Sequence, residues 1–123
     1  MSDEKYERGM QVRRAVLGDD HVDKAEAAQT DFDAGFQRLI TEFAWGTAGS
    51  GSAIERRTRH LVTIAILAAL GRDHELALHL RATRNTGVTA EEIKEVFHHV
   101  AAYAGIPAAN TAFRIAKKEL EVD

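Results

Sequence analysis

The sequence predicts an all-α protein, a single-domain bundle of about six helices. Three observations lead there. Apolar residues recur at three- and four-residue spacing in segment after segment. The 123 residues include one proline, and most of the nine glycines fall between the periodic segments. No stretch shows the strict alternation of a half-buried strand. A chain of this length can close one hydrophobic core.

The first helix is predicted from about Asp3 to Leu17. Acidic residues lead it, Arg13 and Arg14 stand near its end as the helix dipole favours, and Gly18 closes it. A short acidic connection containing His21 follows. A second long helix, from about Asp31 to Ala44, carries Phe32, Phe36, Leu39, Ile40 and Phe43 at helical spacing, and Trp45 and Gly46 end it. That is more aromatic surface than a small domain readily hides, so association between subunits is expected. Thr47 to Ser52 is a loop of small residues. Ser52-x-x-Glu55 reads as a capping box that opens the third helix, which runs to Gly71. The fourth helix, with Asp73 as its expected cap, ends near Gly87. Thr89-x-x-Glu92 is a second capping box and opens a fifth helix with the apolar stripe Ile93, Val96, Phe97, Val100, Ala101 and Ala104. Pro107 starts a sixth helix, which ends in the charged tail from Lys117 to Asp123.

Composition excludes several functions. Sixteen basic against nineteen acidic side chains give a formal charge of −3, without the positive field of a general nucleic-acid binder. The absence of cysteine removes disulfides, thiolate metal sites and thiol peroxidase chemistry. The charged N-terminus is followed by no apolar segment, and the longest apolar run, Leu61 to Leu70, is ten residues, well short of the roughly 20 that span a bilayer. A cytoplasmic protein without membrane contact is the expectation.

The most informative pair is Glu75 and His79, four residues apart on the arc that also carries Leu76, Leu78, Leu80, Ala82 and Thr83. On a solvated helix such a pair is an ordinary surface ion pair. On an apolar arc it points inward, where burial and mutual attraction pull the two groups' proton affinities in opposing directions and suit proton transfer near neutral pH. Arg56, Arg57, Arg59 and His60 form a basic cluster that is either a solvated helix end or an anchor for a small anion. Arg59 shares a face with Thr63 and Ile66 and is the one most directed inward. His98 and His99 point about 100° apart and cannot readily chelate one ion, so no metal site is predicted. His99 lies one turn from Glu95, and His98 is either a pocket wall or a boundary residue. Tyr103 either packs its ring at a helix end or donates to a ligand oxygen.

Several segments together resemble one family. Thr58-Arg-x-Leu-Val-Thr-Ile-Ala65, Ala68-Ala-Leu-Gly-Arg72, Glu75-Leu-x-x-His79, Asn85-x-Gly87-Val-Thr, Glu92-Ile-x-Glu95-Val and Tyr103-Ala-Gly-x-Pro-Ala-Ala-Asn110 are similar to the 4-carboxymuconolactone decarboxylase family, as are Arg8-Gly-Met10, Val12-Arg-Arg14 and Val16-Leu-Gly18 near the start. The likeness follows the chain in order over nearly its whole length. It implies the helical fold of the alkylhydroperoxidase-D-like proteins and a ring-like homo-oligomer, a trimer or hexamer. Arg72 and Glu75 stand where those relatives carry a Cys-x-x-Cys pair, and His79 where they carry a histidine, so their peroxidase route is closed here.

The implied substrate is a small anionic lactone, 4-carboxymuconolactone, decarboxylated to the enol-lactone of 3-oxoadipate in protocatechuate catabolism. No cofactor is implied, because the electrons left by carbon dioxide delocalise into the lactone carbonyl. The resemblance makes His79 the proton donor or oxyanion stabiliser, Glu75 its orienting partner and Arg59 the carboxylate anchor, with Arg81 and Tyr103 as further substrate contacts. The chain departs from the family pattern after Trp45-Gly46, where Gly49-Ser-Gly-Ser-Ala-Ile54 replaces a segment like Trp-Ser-Arg-Pro-Gly-Leu. A tryptophan and an arginine that could line the pocket are absent. The departure leaves room for a same-fold protein that binds or decarboxylates another small lactone or aromatic acid.

Overall fold

The computed structural model describes residues 2–121. Helices make up all the regular structure among the described residues: α1 (Ser2–Leu17), α2 (Asp19–Ala27), α3 (Ala34–Ile40), a π-helical segment (Thr41–Ala48), α4 (Arg56–Leu70), α5 (Asp73–Arg81), α6 (Thr83–Thr86), α7 (Ala90–Ala104) and α8 (Ile106–Glu119). The all-α expectation holds, with more helices than the six expected. Val122 and Asp123, the end of the charged tail, lie outside the described residues. The chain falls into two compact units, residues 1–55 and 56–123.

In the first unit, the acidic stretch read as a connection is helix α2. Its charges are those of a helix start: Asp19 and Asp20 occupy the first turn. Ion pairs from Arg14 to Asp19 (3.0 Å) and Asp23 (2.9 Å), and from buried Arg13 to Glu26 (3.4 Å), tie α2 to α1. The second predicted helix starts later and ends later than its apolar pattern suggests, because the backbone passes from α3 into the π-helical segment and continues beyond Trp45 and Gly46. α1 lies directly against that segment. A Cβ on Gly9 would strike the carbonyl of Thr41, and one on Gly46 the carbonyl of Lys5, so both positions require glycine for close backbone approach. Phe32, Phe36, Leu39 and Phe43 remain exposed, Phe32 completely.

The second unit buries Ile64 and Ala68 of α4, Leu76 and Leu80 of α5, Ile93, Phe97 and Val100 of α7, and Ala109, Ala112 and Ala116 of α8 in one core. Phe97 meets Phe113 edge to face at 5.3 Å. The three alanines let α8 approach closely, as its small-residue stripe requires. Two predicted caps do not form. α4 opens at Arg56, so Glu55 precedes the helix and Ser52 has no first turn to cap. Asp73 is itself the first residue of α5, with Arg72 at the cap position. The box at Thr89 and Glu92 is present in both directions. Gly87 takes the left-handed conformation (φ 82°) that closes α6, and Gly105 (φ 114°) allows the reversal from α7 into α8.

Candidate active site

Four residues of the second unit form a connected polar chain. On α4, the buried residues His60, Ile64 and Ala68 repeat every four positions, so His60 lies on the core-facing side of the helix. On α5, Leu76 and Leu80 define the buried face and His79 sits at its margin, half-buried. The two imidazoles meet there. His60 Nε2 lies 3.2 Å from His79 Nδ1, with ring centroids 5.3 Å apart and planes inclined by 59°. On the other side of His60, Nδ1 lies 2.7 Å from Thr86 Oγ1, and that hydroxyl is 3.5 Å from the carbonyl of Thr83.

Arg57 holds this arrangement from below. Its Nε donates to the carbonyl of Gly87 at 3.2 Å, and its guanidinium pairs with Glu92, the acidic member of the capping box that opens α7. One side chain thereby ties the start of α4 to the turn after Thr86, which keeps Thr86 beside His60. The Arg57 guanidinium, aided by the Thr89 backbone N–H, holds the Glu92 carboxyl at about 2, well below its ordinary 4.5. The unfolded chain therefore binds more protons than the folded one between those values. Stability from Glu92 is fully present above pH 4.5 and is lost as pH falls toward 2. Glu92→Gln is expected to flatten that part of the acid dependence of the melting temperature, measured by thermal denaturation across the same window.

Burial, and then the charge of neighbouring His79, lower the pKa of His60 from 6.5 to about 4. His60 is therefore neutral at physiological pH and has one donor and one acceptor to place.

Sequence-predicted site residues separate. Glu75 is exposed, and no ion pair joins it to His79 among the described residues. The inward Glu75/His79 pair is thus corrected: the buried arc of α5 centres on Leu76 and Leu80, and Glu75, in the first turn, falls about 120° away. The ring that meets His79 belongs to His60, a member of the basic cluster that reads as either a solvated helix end or an anchor for a small anion. The i, i+4, i+8 series His60, Ile64, Ala68 was the signal that marks it as inward. Arg59 is half-buried, one residue before His60. Arg81 lies on the far side of α5 from His79, about 200° around the helix, and pairs with Glu119 at 2.9 Å. Tyr103 is 88% exposed and stacks on His99. It borders an apolar groove of about 730 Å³ between α4 and α7, on the face of α4 opposite His60. His98 and His99 face different aromatic partners, Phe113 and Tyr103. No group of three or more histidine, aspartate or glutamate side chains is placed to hold a metal ion among the described residues, and no helix there is long and apolar enough to cross a membrane.

Residues 34–118 match the model of the Carboxymuconolactone decarboxylase family. The chain belongs to that family. It is 48% identical over 119 residues to the 4-carboxymuconolactone decarboxylase of Acinetobacter baylyi, a match covering 96% of this chain and 89% of that relative. It is 36% identical over 115 residues to the nitrosuccinic acid decarboxylase of Metarhizium robertsii, covering 94% of this chain and 80% of that relative. A 43-residue stretch is 54% identical to a 4-carboxymuconolactone decarboxylase of Pseudomonas putida, covering 35% of this chain and 90% of that relative.

Proposed function

We propose that this protein decarboxylates 4-carboxymuconolactone to the enol-lactone of 3-oxoadipate, with His79 as proton donor. The observation that carries the reading is the near full-length similarity to a 4-carboxymuconolactone decarboxylase, joined to a half-buried histidine held by a neutral buried partner. The bond between the ring carbon and its carboxylate breaks, carbon dioxide leaves, and the electron pair spreads through the ring double bond to the lactone carbonyl oxygen. His79 then gives a proton to the ring carbon next to that carbonyl. The lactone supplies its own electron sink, so the protein has only charge stabilisation, anchoring and one proton transfer to provide. Arg59, half-buried and adjacent in sequence to His60, is the proposed carboxylate anchor. Arg81 and Tyr103 do not share in this proposal, one being committed to Glu119 and the other lying on the opposite face of α4. Turnover of the freshly generated lactone, followed by release of carbon dioxide and formation of the enol-lactone, tests the reading.

One observation favours a second reading. A 36% identical relative is named for a different small acid, nitrosuccinic acid, and the segment from Gly49 to Ile54 departs from the family pattern. Turnover of another small acid in preference to the lactone would support it.

The reading includes a homo-oligomer, a trimer or hexamer. Its support is the exposed row Phe32, Phe36, Leu39 and Phe43, more apolar surface than a solitary chain ordinarily shows to water. Multi-angle light scattering is expected to give three or six times the chain mass at micromolar concentration. A single-chain mass would remove the oligomer.

A further inference from the structure

His60 is the one histidine that is buried among the described residues, and one placement of hydrogens uses every contact that runs through it, the long one to Thr83 included. The chain of contacts ends on the backbone carbonyl of Thr83, which has no hydrogen to give. The Thr86 hydroxyl carries a single hydrogen, and placing it toward that carbonyl (3.5 Å) leaves Oγ1 as an acceptor toward His60. His60 Nδ1 then carries the hydrogen of the 2.7 Å contact, and Nε2 is left as a lone pair. In this placement the lone pair accepts from the Nδ1–H of His79, 3.2 Å away. Each member donates to the next: His79 to His60, His60 to Thr86, Thr86 to Thr83.

We propose that His60 is a positioning residue for proton delivery, holding His79 in the Nδ1–H tautomer so that the proton exchanged with substrate is always the one on Nε2. The inference rests on the reading of His79 as proton donor and adds the residue that orients it. In the cationic state His79 must donate from both nitrogens, and the same His60 lone pair serves, so the ring needs no rotation between states. The choice of partner also matters chemically. A carboxylate facing Nδ1 would stabilise the imidazolium and make it a weaker acid, whereas a neutral imidazole orients the ring without a full opposing charge. Burial keeps His60 neutral, with its pKa lowered to about 4, and so prevents it from taking the proton itself. An imidazolium with no carboxylate at Nδ1 gives up its proton more readily, which suits protonation of carbon.

The test is a proton-coupled nitrogen spectrum of protein labelled with 15N-histidine, with the two rings assigned from His60→Gln and His79→Gln. The expected result is a neutral His79 that carries hydrogen on Nδ1. In His60→Leu, which removes the acceptor, this preference disappears and kcat falls roughly tenfold or more with KM little changed. In His60→Gln, whose side-chain carbonyl can stand near the position of Nε2, the Nδ1–H form and most of kcat return. A neutral His79 protonated on Nε2 in the unmodified protein overturns the proposal, and so does an unchanged tautomer and kcat in folded His60→Leu. If His60→Leu does not fold, the spectrum of the unmodified protein still decides. The two failures are distinguishable: the wrong tautomer with turnover abolished in His79→Gln overturns the His60 assignment alone, whereas full turnover in His79→Gln overturns both.

Discussion

Replacing His79 with glutamine is expected to lower lactone turnover at least about a hundredfold while the protein remains folded. The side chain is half-buried at the margin of α5, and glutamine is similar in reach and polarity, so the core around Leu76 and Leu80 is not opened. What glutamine lacks is a proton that it can release near neutral pH. A general acid of this kind contributes on the order of 10² to 10⁴ in rate, and a donor near the developing oxyanion contributes on a similar scale. In the proposed reaction both roles fall to the imidazole, so both are lost together. Steady-state kinetics with circular dichroism on the same sample separate loss of chemistry from loss of fold. Near-normal turnover in the folded variant would remove His79 from the reaction.

The largest expected effect on stability is at Phe97. Phe97→Ala is expected to cost about 3–5 kcal/mol, through lost burial and the cavity left behind. The ring is completely buried, stands edge to face on Phe113, and joins α7 to a core shared by α4, α5 and α8. Against a typical total stability of about 5–15 kcal/mol, that loss is a large fraction. Urea denaturation should show a lower midpoint with a similar slope. A change below about 1 kcal/mol would mean that the core collapses around the gap and that Phe97 is not its centre. The histidine pair stands on α4 and α5, which depend on this core, so turnover should also fail at a lower temperature in the variant.

Helical class could be read from the sequence because it rests on local signals that packing here does not override. Thr89 and Glu92 form their box because both partners lie inside the first turn of α7. Gly87 and Gly105 take positive φ angles at helix ends, where glycine's lack of a Cβ matters. Ser52 and Glu55 have the same spacing without the same outcome, since the helix opens after them. The π-helical turn left no mark in apolar spacing, and the close backbone approach at Gly9 and Gly46 that accompanies it is a contact between residues far apart in sequence.

The partly inward position of His79 was legible in the sequence, and the identity of the side chain that meets it was not. Glu75 has the right spacing on a helical wheel, but a broad apolar arc of mixed residues does not locate the buried centre, and Leu78 stands about 200° around the helix from Leu76. His60 was hidden by three neighbouring arginines that give the start of α4 a solvated character. Those arginines then diverge: Arg57 ties α4 to Gly87 and Glu92, while Arg56 is exposed. Arg81 shows that a charge near a catalytic candidate in sequence can stand on the opposite side of its helix and serve an ion pair instead.

We propose that this member of the Carboxymuconolactone decarboxylase family acts on the lactone through His79. The most direct test is incubation of the purified protein with freshly generated 4-carboxymuconolactone, measuring carbon dioxide and enol-lactone together, with His79→Gln alongside. Equal amounts of both products are expected from the unmodified protein and almost none from the folded variant. Lactone left unchanged by the folded, unmodified protein, or products formed equally well by His79→Gln, would contradict it.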